Sequence, residues 1–193
     1  MINKALPYYL EDRSGSYAGS DFDDIYDRLF LRVSRPPGSA TDGPPNALMI
    51  YNVGRRSSNQ RDYRPLQREP SVALEFGPSG TLGQISFMGT SVSMPMNQYL
   101  KKVSLFGGSL IRKFRASNGE EYKWTYKTES EHQWSCTDSG NYVVAHYNLK
   151  PPNKPAFRTS GNMLTINETH ASLAIGELLA SLTIMRHVAA YHL

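Results

Sequence analysis

The sequence predicts a mainly β protein: a closed antiparallel barrel of about twelve strands around a buried hydrophobic C-terminal helix. Two observations lead to this prediction. Between residues 29 and 166, short runs of β-branched and aromatic residues alternate with turns rich in Gly, Pro, Asn and Asp. Residues 171–193 then show a helical pattern that is apolar on nearly every side, and such a helix must be enclosed by protein or placed in lipid.

The composition favours enclosure by protein. The chain has 193 residues, of which 39% are hydrophobic and 20% charged, as in one soluble globular domain. Glu177 near the start of the helix, and Arg186 near its end, leave too short an apolar stretch for a membrane span. The single cysteine, Cys136, excludes an internal disulfide, and the chain starts without a secretory signal pattern, so we expect a cytoplasmic protein with no transmembrane segment.

The first 27 residues show no clear period and are expected to form a partly flexible arm before a single barrel domain at residues 28–193. Four acids gather within this arm: Asp21, Asp23, Asp24 and Asp27. They lack the glycine and the terminal Glu of a calcium-binding loop, and the first turn of a short helix explains them more simply.

The strands of the domain follow in order. Apolar runs at residues 29–33, 47–53, 72–76, 82–88 and 103–106 are bounded by breakers, and residues 94–102 are expected to include a helical turn. A three-residue turn ending at Gly119 sets Phe114 opposite Tyr122, Arg112 opposite Trp124 and Leu110 opposite Tyr126, which collects the aromatic side chains on one face.

The same reasoning at residues 138–140 sets Cys136 opposite Tyr142, Trp134 opposite Val144 and His132 opposite His146. A last hairpin is expected to join residues 156–159 to residues 163–166, and the central helix follows at residues 170–192.

A dozen short strands followed by one enclosed helix resembles the tubby-like barrel, which also occurs in the plant LURP-one-related proteins and the phospholipid scramblases. The chain is more closely similar to a fungal family of uncharacterised domains. The most specific part of that likeness is Phe-x-Ala-Ser-Asn-Gly-x-x-Tyr-x-Trp at residues 114–124, with Asn118 where the family would have Asp. The resemblance implies the fold and no established activity.

One segment is notably basic. Residues 54–68 hold a single acid and five arginines, Arg55, Arg56, Arg61, Arg64 and Arg68. The planar guanidinium fork suits phosphate, and tubby domains bind phosphoinositides, so this segment is the candidate anion site. A solvated loop with no ligand is the alternative. Nucleic acid is not expected, because Tyr63 is the one aromatic residue in the segment.

His132 and His146 are a weak candidate pair for a metal, since zinc usually takes at least three protein ligands. The predicted register keeps Cys136 away from both imidazoles, which favours a buried, inert thiol over a nucleophile. Glu177 must find a partner if it is enclosed, and Arg112 and Arg158 are the candidates.

Because the helix would fill the barrel, function is expected on the outer surface. The sequence favours a non-enzymatic intracellular binding module for an anionic lipid or another protein, with no cofactor, no metal and no catalytic residue assigned. One alternative is an enzyme with a site at the barrel rim near His132, His146 and Tyr147. The other is a structural or self-associating protein that uses exposed aromatic residues.

Overall fold

A computed structural model describes residues 6–39, 45–54, 69–103, 110–129, 132–150, 159–167 and 174–193. Within these ranges the chain forms one antiparallel sheet of 13 strands, two α-helices and a 3-10 turn at Pro78–Gly80. The strands are β1 (Tyr8–Asp12), β2 (Ser20–Asp24), β3 (Phe30–Ser34), β4 (Ala47–Gly54), β5 (Val72–Glu75), β6 (Gln84–Phe87), β7 (Val92–Pro95), β8 (Leu100–Lys102), β9 (Arg112–Arg115), β10 (Glu121–Glu129), β11 (His132–Thr137), β12 (Val143–Asn148) and β13 (Met163–Ile166). The helices are α1 (Met96–Tyr99) and α2 (Ile175–Tyr191).

The predicted closed barrel is wrong, because the sheet is open. Its strand order is β7-β6-β5-β4-β3-β2-β1-β13-β12-β11-β10-β9-β8, and in the described ranges no ladder joins the edge strands β7 and β8. The chain passes from β7 to β8 through α1, whose buried Met96 and Tyr99 lie between the two edges. Pro95 ends β7 and has no N–H to donate, which suits an edge strand.

Strands β1 and β2 come from the region that was expected to be an arm. β1 pairs with β2 and β13, so both strands lie near the middle of the sheet. The acids at positions 21, 23 and 24 belong to β2 rather than to the first turn of a helix. Leu10 and Phe22 point into the core and are almost fully buried, which explains why this part of the chain is extended.

The predicted register of the β9–β10 hairpin is confirmed for the residues that belong to these two strands. Phe114 lies opposite Tyr122 and Arg112 opposite Trp124, and Gly119 adopts a positive φ of 84° in the turn. Leu110 precedes β9, so its predicted pairing with Tyr126 does not form.

The predicted register of β11 and β12 is wrong. Trp134 lies opposite Tyr147, Ser135 opposite His146 and Cys136 opposite Ala145. Two features cause the shift: the loop spans residues 138–142, since Asp138 N–H donates to Tyr142 O, and the ladder is interrupted between Cys136 and Thr137.

The C-terminal hairpin was also predicted with the wrong partner. β13 pairs with β12 on one side and with β1 on the other. Both of its edges are therefore already hydrogen-bonded. Residues 156–158 of the expected hairpin lie outside the described residues.

The C-terminal helix is enclosed, as its apolar pattern predicts. Twelve of the 17 residues of α2 are buried, and in the described part it begins at Ile175 rather than at residue 170. The helix contacts strands from both halves of the sheet: it packs on β4 and β5, and Trp124 Nε1 of β10 donates to Ser181 Oγ at 2.8 Å. The sheet therefore curves around α2 without its edges meeting. No helix in the described ranges has both the length and the apolar character needed to cross a bilayer.

Candidate functional site

A cleft of about 1000 Å³ lies where the two edges of the sheet face each other. One wall comes from β6, β7 and the turn between them, and the opposite wall from β8 and β9. The first turn of α2, at residues 174–177, also lines it. The cleft is thus a direct result of the open sheet, and its size is typical of pockets that hold a small molecule.

Glu177 is the charged group at the buried end of this cleft, with 3% of its surface exposed. Ser117 N–H donates to both carboxylate oxygens, at 3.2 Å to Oε1 and 3.0 Å to Oε2, and Ser117 Oγ donates to Oε2 at 2.6 Å. Tyr99 OH donates to Oε1 at 3.1 Å. The carboxylate joins the β9–β10 turn and α1 to the start of α2, where the helix dipole favours a negative charge.

Tyr99 is held in its protonated form. Burial, and then the negative charge of Glu177, raise the pKa of Tyr99 well above its ordinary value of 10.0. Its hydroxyl therefore remains a donor at physiological pH. We conclude that Glu177, Ser117 and Tyr99 form a satisfied structural cluster, which leaves the chemistry of the cleft to its walls.

The wall from β6 and β7 is apolar. Phe87 and Met94 are partly buried there, while Met88 and Val92 at the rim are 43% and 42% exposed. Large apolar side chains that border a cleft while exposed to water are typical of a ligand or partner surface. Methionine adapts readily to the shape of an apolar ligand.

The opposite wall is basic. Three lysines lie opposite one another on adjacent strands, and we call them the lysine row: Lys101 of β8, Lys113 of β9 and Lys123 of β10. Lys101 and Lys113 line the cleft, together with Arg115. Like charges directly opposite each other in a sheet are destabilising, and a bound anion would relieve that repulsion.

Acids offset part of this charge. Lys113 Nζ forms a 2.8 Å ion pair with Glu121, whose pKa is lowered mainly by the hydrogen bond from Lys113. Lys123 Nζ donates to Asn141 Oδ1 at 3.2 Å, and because this amide is neutral, it does not offset the positive charge of Lys123. In the described residues, Lys101 and Arg115 form no ion pair within 4.0 Å, although both also help to lower the pKa of Glu121 through their charge, so these two supply most of the positive charge at the mouth of the cleft.

The other end of α2 carries a second polar cluster. Asp12 is fully buried and accepts from Tyr147 OH at 2.6 Å, from Arg186 Nη1 at 3.3 Å and from Ser20 Oγ. Arg186 also stacks its guanidinium on the Tyr147 ring, 4.7 Å from the centroid. This buried pair ties β1 to the helix, so we assign it to stability.

The arginine segment falls outside the described residues. Arg55, Arg56, Arg61, Arg64 and Arg68 all belong to the range 55–68. The described residues that flank this range are informative, because Asn52 and Glu69 both line the cleft.

The candidate histidine pair is not brought together by the register. His132 is aligned with Glu129 of β10, and His146 with Ser135 of β11 and Thr165 of β13. Within the described part of the chain, no three His, Cys, Asp or Glu side chains come close enough to hold a metal ion. The predicted position of His132 opposite His146 is therefore wrong, and the enzyme alternative stays a prediction.

Cys136 is fully buried, and burial raises the pKa of its thiol well above its ordinary value, so it is not positioned as a nucleophile. Three of the four acids in the N-terminal cluster, Asp21, Asp23 and Asp24, form ion pairs with arginines. Arg32 Nε donates to Asp21 at 2.6 Å, and Arg28 Nε donates to Asp24 at 2.7 Å. Together with the pair between Arg13 and Asp23, these ion pairs account for three of the four acids without a ligand.

The partners of Glu177 were the main residues that the sequence analysis missed. Arg112 was a candidate, but it donates to Leu193 O at 2.9 Å instead, and Arg158 lies outside the described residues. Ser117 is 60 positions from Glu177 in the chain, and no local pattern connects them. The Ser-Asn-Gly turn predicted the hairpin but not its contact with the helix.

Residues 39–188 match the profile of a family of unknown function, DUF6593, and because this match covers most of the sequence, the chain belongs to that family. The expectation of an uncharacterised domain family is thereby confirmed. No curated protein and no solved structure matches the chain. The likeness to tubby-like proteins and the fungal origin stay predictions.

Proposed function

We propose that this member of the DUF6593 family is a non-enzymatic binding module whose partner is the anionic head group of a phospholipid at a membrane surface. The observation that carries the proposal is the lysine row: three like charges are aligned across β8, β9 and β10, Glu121 pairs with the middle one only, and an added anion would reduce the repulsion that remains. The net charge of +4 agrees with an anionic partner.

The arginine segment supports the same ligand class. Arg55, Arg56, Arg61, Arg64 and Arg68 are five guanidinium groups in the sequence between Asn52 and Glu69, the described residues of this part of the chain that line the cleft. Guanidinium groups bind phosphate in a bidentate manner, whereas lysines contribute point charges. The cytoplasmic location expected from the sequence belongs to this proposal, because the cytoplasmic leaflet carries the anionic lipids.

Vesicle co-sedimentation tests the proposal. Three compositions separate charge from head-group chemistry: phosphatidylcholine alone, phosphatidylcholine with phosphatidylserine, and phosphatidylcholine with phosphatidylinositol phosphates. We expect binding to the anionic vesicles that falls as salt is added, because exposed charges are screened within a Debye length. Equal binding to all three compositions would contradict the proposal.

A pair of double variants with the same change in net charge locates the surface. Lys101→Gln/Lys123→Gln removes two members of the lysine row and leaves the Lys113–Glu121 ion pair intact. Lys127→Gln/Lys150→Gln removes two lysines that lie outside the lysine row and do not line the cleft. Each basic residue near an anionic surface contributes about 1 kcal/mol, so the first variant should bind roughly thirtyfold more weakly and the second should bind as the parent does.

The arginine segment is tested separately with Arg55, Arg56, Arg61 and Arg64 changed to Ala. If the segment contacts the head group, vesicle binding falls further than in the lysine variant, because four charges are removed. Unchanged binding would remove the arginines from the site and leave the lysine row as the sole anion contact.

A further inference from the structure

We infer that the cleft holds the acyl chain of a single anionic lipid, while the phosphate of that lipid stays at the basic wall beside Lys101 and Arg115. This inference rests on the proposed function and goes beyond it, because surface attachment to a membrane needs the cations alone. A filled cleft means that the protein recognises one lipid molecule and can hold it outside a bilayer.

The two walls differ in a way that fits an amphipathic ligand. The β6–β7 side presents Phe87, Met88, Val92 and Met94, and the β8–β9 side presents Lys101 and Arg115. An acyl chain on the first wall would remove exposed apolar surface of Met88 and Val92 from water. An anionic group on the second wall would meet the two cations that have no ion pair among the described residues.

The buried end of the cleft sets the orientation of the lipid. Glu177 is a carboxylate, so an anionic head group is repelled from that end. The hydrogen-bond acceptors of Glu177 are occupied by Ser117 and Tyr99, so an acyl chain passing nearby breaks no hydrogen bond. The head group therefore lies at the mouth, and the chain extends inward along the β6–β7 wall.

The size of the cleft fits one chain rather than a flat surface contact. Its volume of about 1000 Å³ is at the upper end of the range of small-molecule pockets. The gap has no strand across it in the described ranges, since β7 and β8 remain unpaired with each other. A long, narrow apolar group can therefore enter from the open side without displacing a strand.

Titration calorimetry with monomeric lipids tests the inference. The probes are palmitoyl lysophosphatidic acid, hexanoyl lysophosphatidic acid, glycerol phosphate and the uncharged palmitoyl glycerol. Each methylene that leaves water adds a similar increment of free energy, so the palmitoyl anion should bind at least about a hundredfold more tightly than the hexanoyl anion. Its binding should also show a negative change in heat capacity.

Two double variants of exposed side chains supply the matched comparison. Met88→Gln/Val92→Thr alters the apolar wall, and Leu6→Gln/Val103→Thr makes the same kind of change at exposed residues that do not line the cleft. The first should lower the affinity for the palmitoyl anion about tenfold and leave that for glycerol phosphate unchanged. The second should change neither. Circular dichroism and the melting temperature verify that both variants fold.

Equal affinity for the palmitoyl and hexanoyl anions, or equal effects of the two double variants, would overturn the inference. Equal affinity for palmitoyl glycerol and the palmitoyl anion would overturn the assignment of the head group to Lys101 and Arg115. If vesicle binding still depends on the lysine row while chain length has no effect, the cleft inference fails and the proposed function stands. If neither vesicles nor monomeric anions bind, both fail.

Discussion

Replacing Glu177 with Gln should destabilise the fold, because this carboxylate holds three parts of the chain together. Its oxygens accept from Ser117 N–H, Ser117 Oγ and Tyr99 OH, and it lies in the first turn of α2. Gln has nearly the same shape, so the substitution removes the charge and one acceptor with little change in packing. The perturbation therefore isolates electrostatics and hydrogen bonding from volume.

The expected loss follows from these contacts. Hydrogen bonds to a charged group contribute about 1.5–3 kcal/mol, and an acid at a helix N-terminus adds roughly 0.3–1 kcal/mol. The Gln oxygen can still accept from Ser117, and the hydroxyl of Tyr99 can accept from the Gln amide, so part of the network survives. We expect Glu177→Gln to lower the free energy of unfolding by about 2 kcal/mol.

Urea denaturation followed by tryptophan fluorescence measures this loss, since Trp124 and Trp134 are both buried. Glu75→Gln, which changes an exposed carboxylate of β5, is the control and should leave the transition midpoint unchanged. Tyr99→Phe should cost less in the Glu177→Gln background than in the parent, because the two residues share a hydrogen bond. A loss below about 0.5 kcal/mol for Glu177→Gln would refute the structural assignment, since that is the range of ordinary surface substitutions.

Three further predictions concern other buried groups. Asp12→Asn should lower the free energy of unfolding by about 3 kcal/mol in urea denaturation, because it leaves Arg186 without its buried partner; a loss no larger than that of Glu75→Gln would contradict this. Burial lowers the pKa of His187 in the folded protein below its ordinary value of 6.5. As the pH falls, His187 is therefore protonated in the unfolded chain before it is protonated in the folded protein. The stability that neutral His187 contributes is present above pH 6.5 and is lost as the pH falls towards the folded-state pKa. In urea denaturation across pH 5–7, the free energy of unfolding should therefore depend less steeply on pH in His187→Gln than in the parent. Identical slopes would contradict the lowered pKa of His187. Cys136 should react with a thiol-specific dye only as fast as the protein unfolds, whereas immediate reaction in the native state would show that the thiol is accessible.

Much of the strand content could be predicted from local pattern. β4 was expected at residues 47–53 and is observed at Ala47–Gly54, because β-branched and aromatic residues are bounded there by breakers. The β9–β10 register followed from placing Phe114 and Tyr122 on one face. In both cases the information lies within a few residues of the element itself.

β2 was missed because its composition opposes strand formation. Three of its five residues are aspartates, which are depleted in strands, and their partners Arg13, Arg28 and Arg32 lie on neighbouring parts of the chain. These ion pairs reduce the repulsion among the aspartates, and the burial of Phe22 favours the strand. A sequence pattern that considers one segment at a time cannot include them.

The open sheet and the cleft depend on longer-range geometry. The chain passes from β7 to β8 through α1, in which Met96 and Tyr99 are buried, and no local pattern indicates whether the two strands pair. The apolar residues of β6–β7 and the cations of β8–β9 come together only because the sheet curves around α2. Their alignment across the cleft has no signature in the order of residues along the chain.

The central claim, that the anionic partner binds at the lysine row and the cleft, is tested most directly by backbone amide chemical shifts during titration with anionic lipid bicelles. The account predicts that the largest shifts map to β8, β9 and the first residues of β10, including Lys101, Lys113 and Lys123, and to Met88 and Val92 across the cleft. Bicelles of phosphatidylcholine alone should leave these amides unchanged. Shifts confined to another face of the sheet, or equal shifts with uncharged bicelles, would contradict the account.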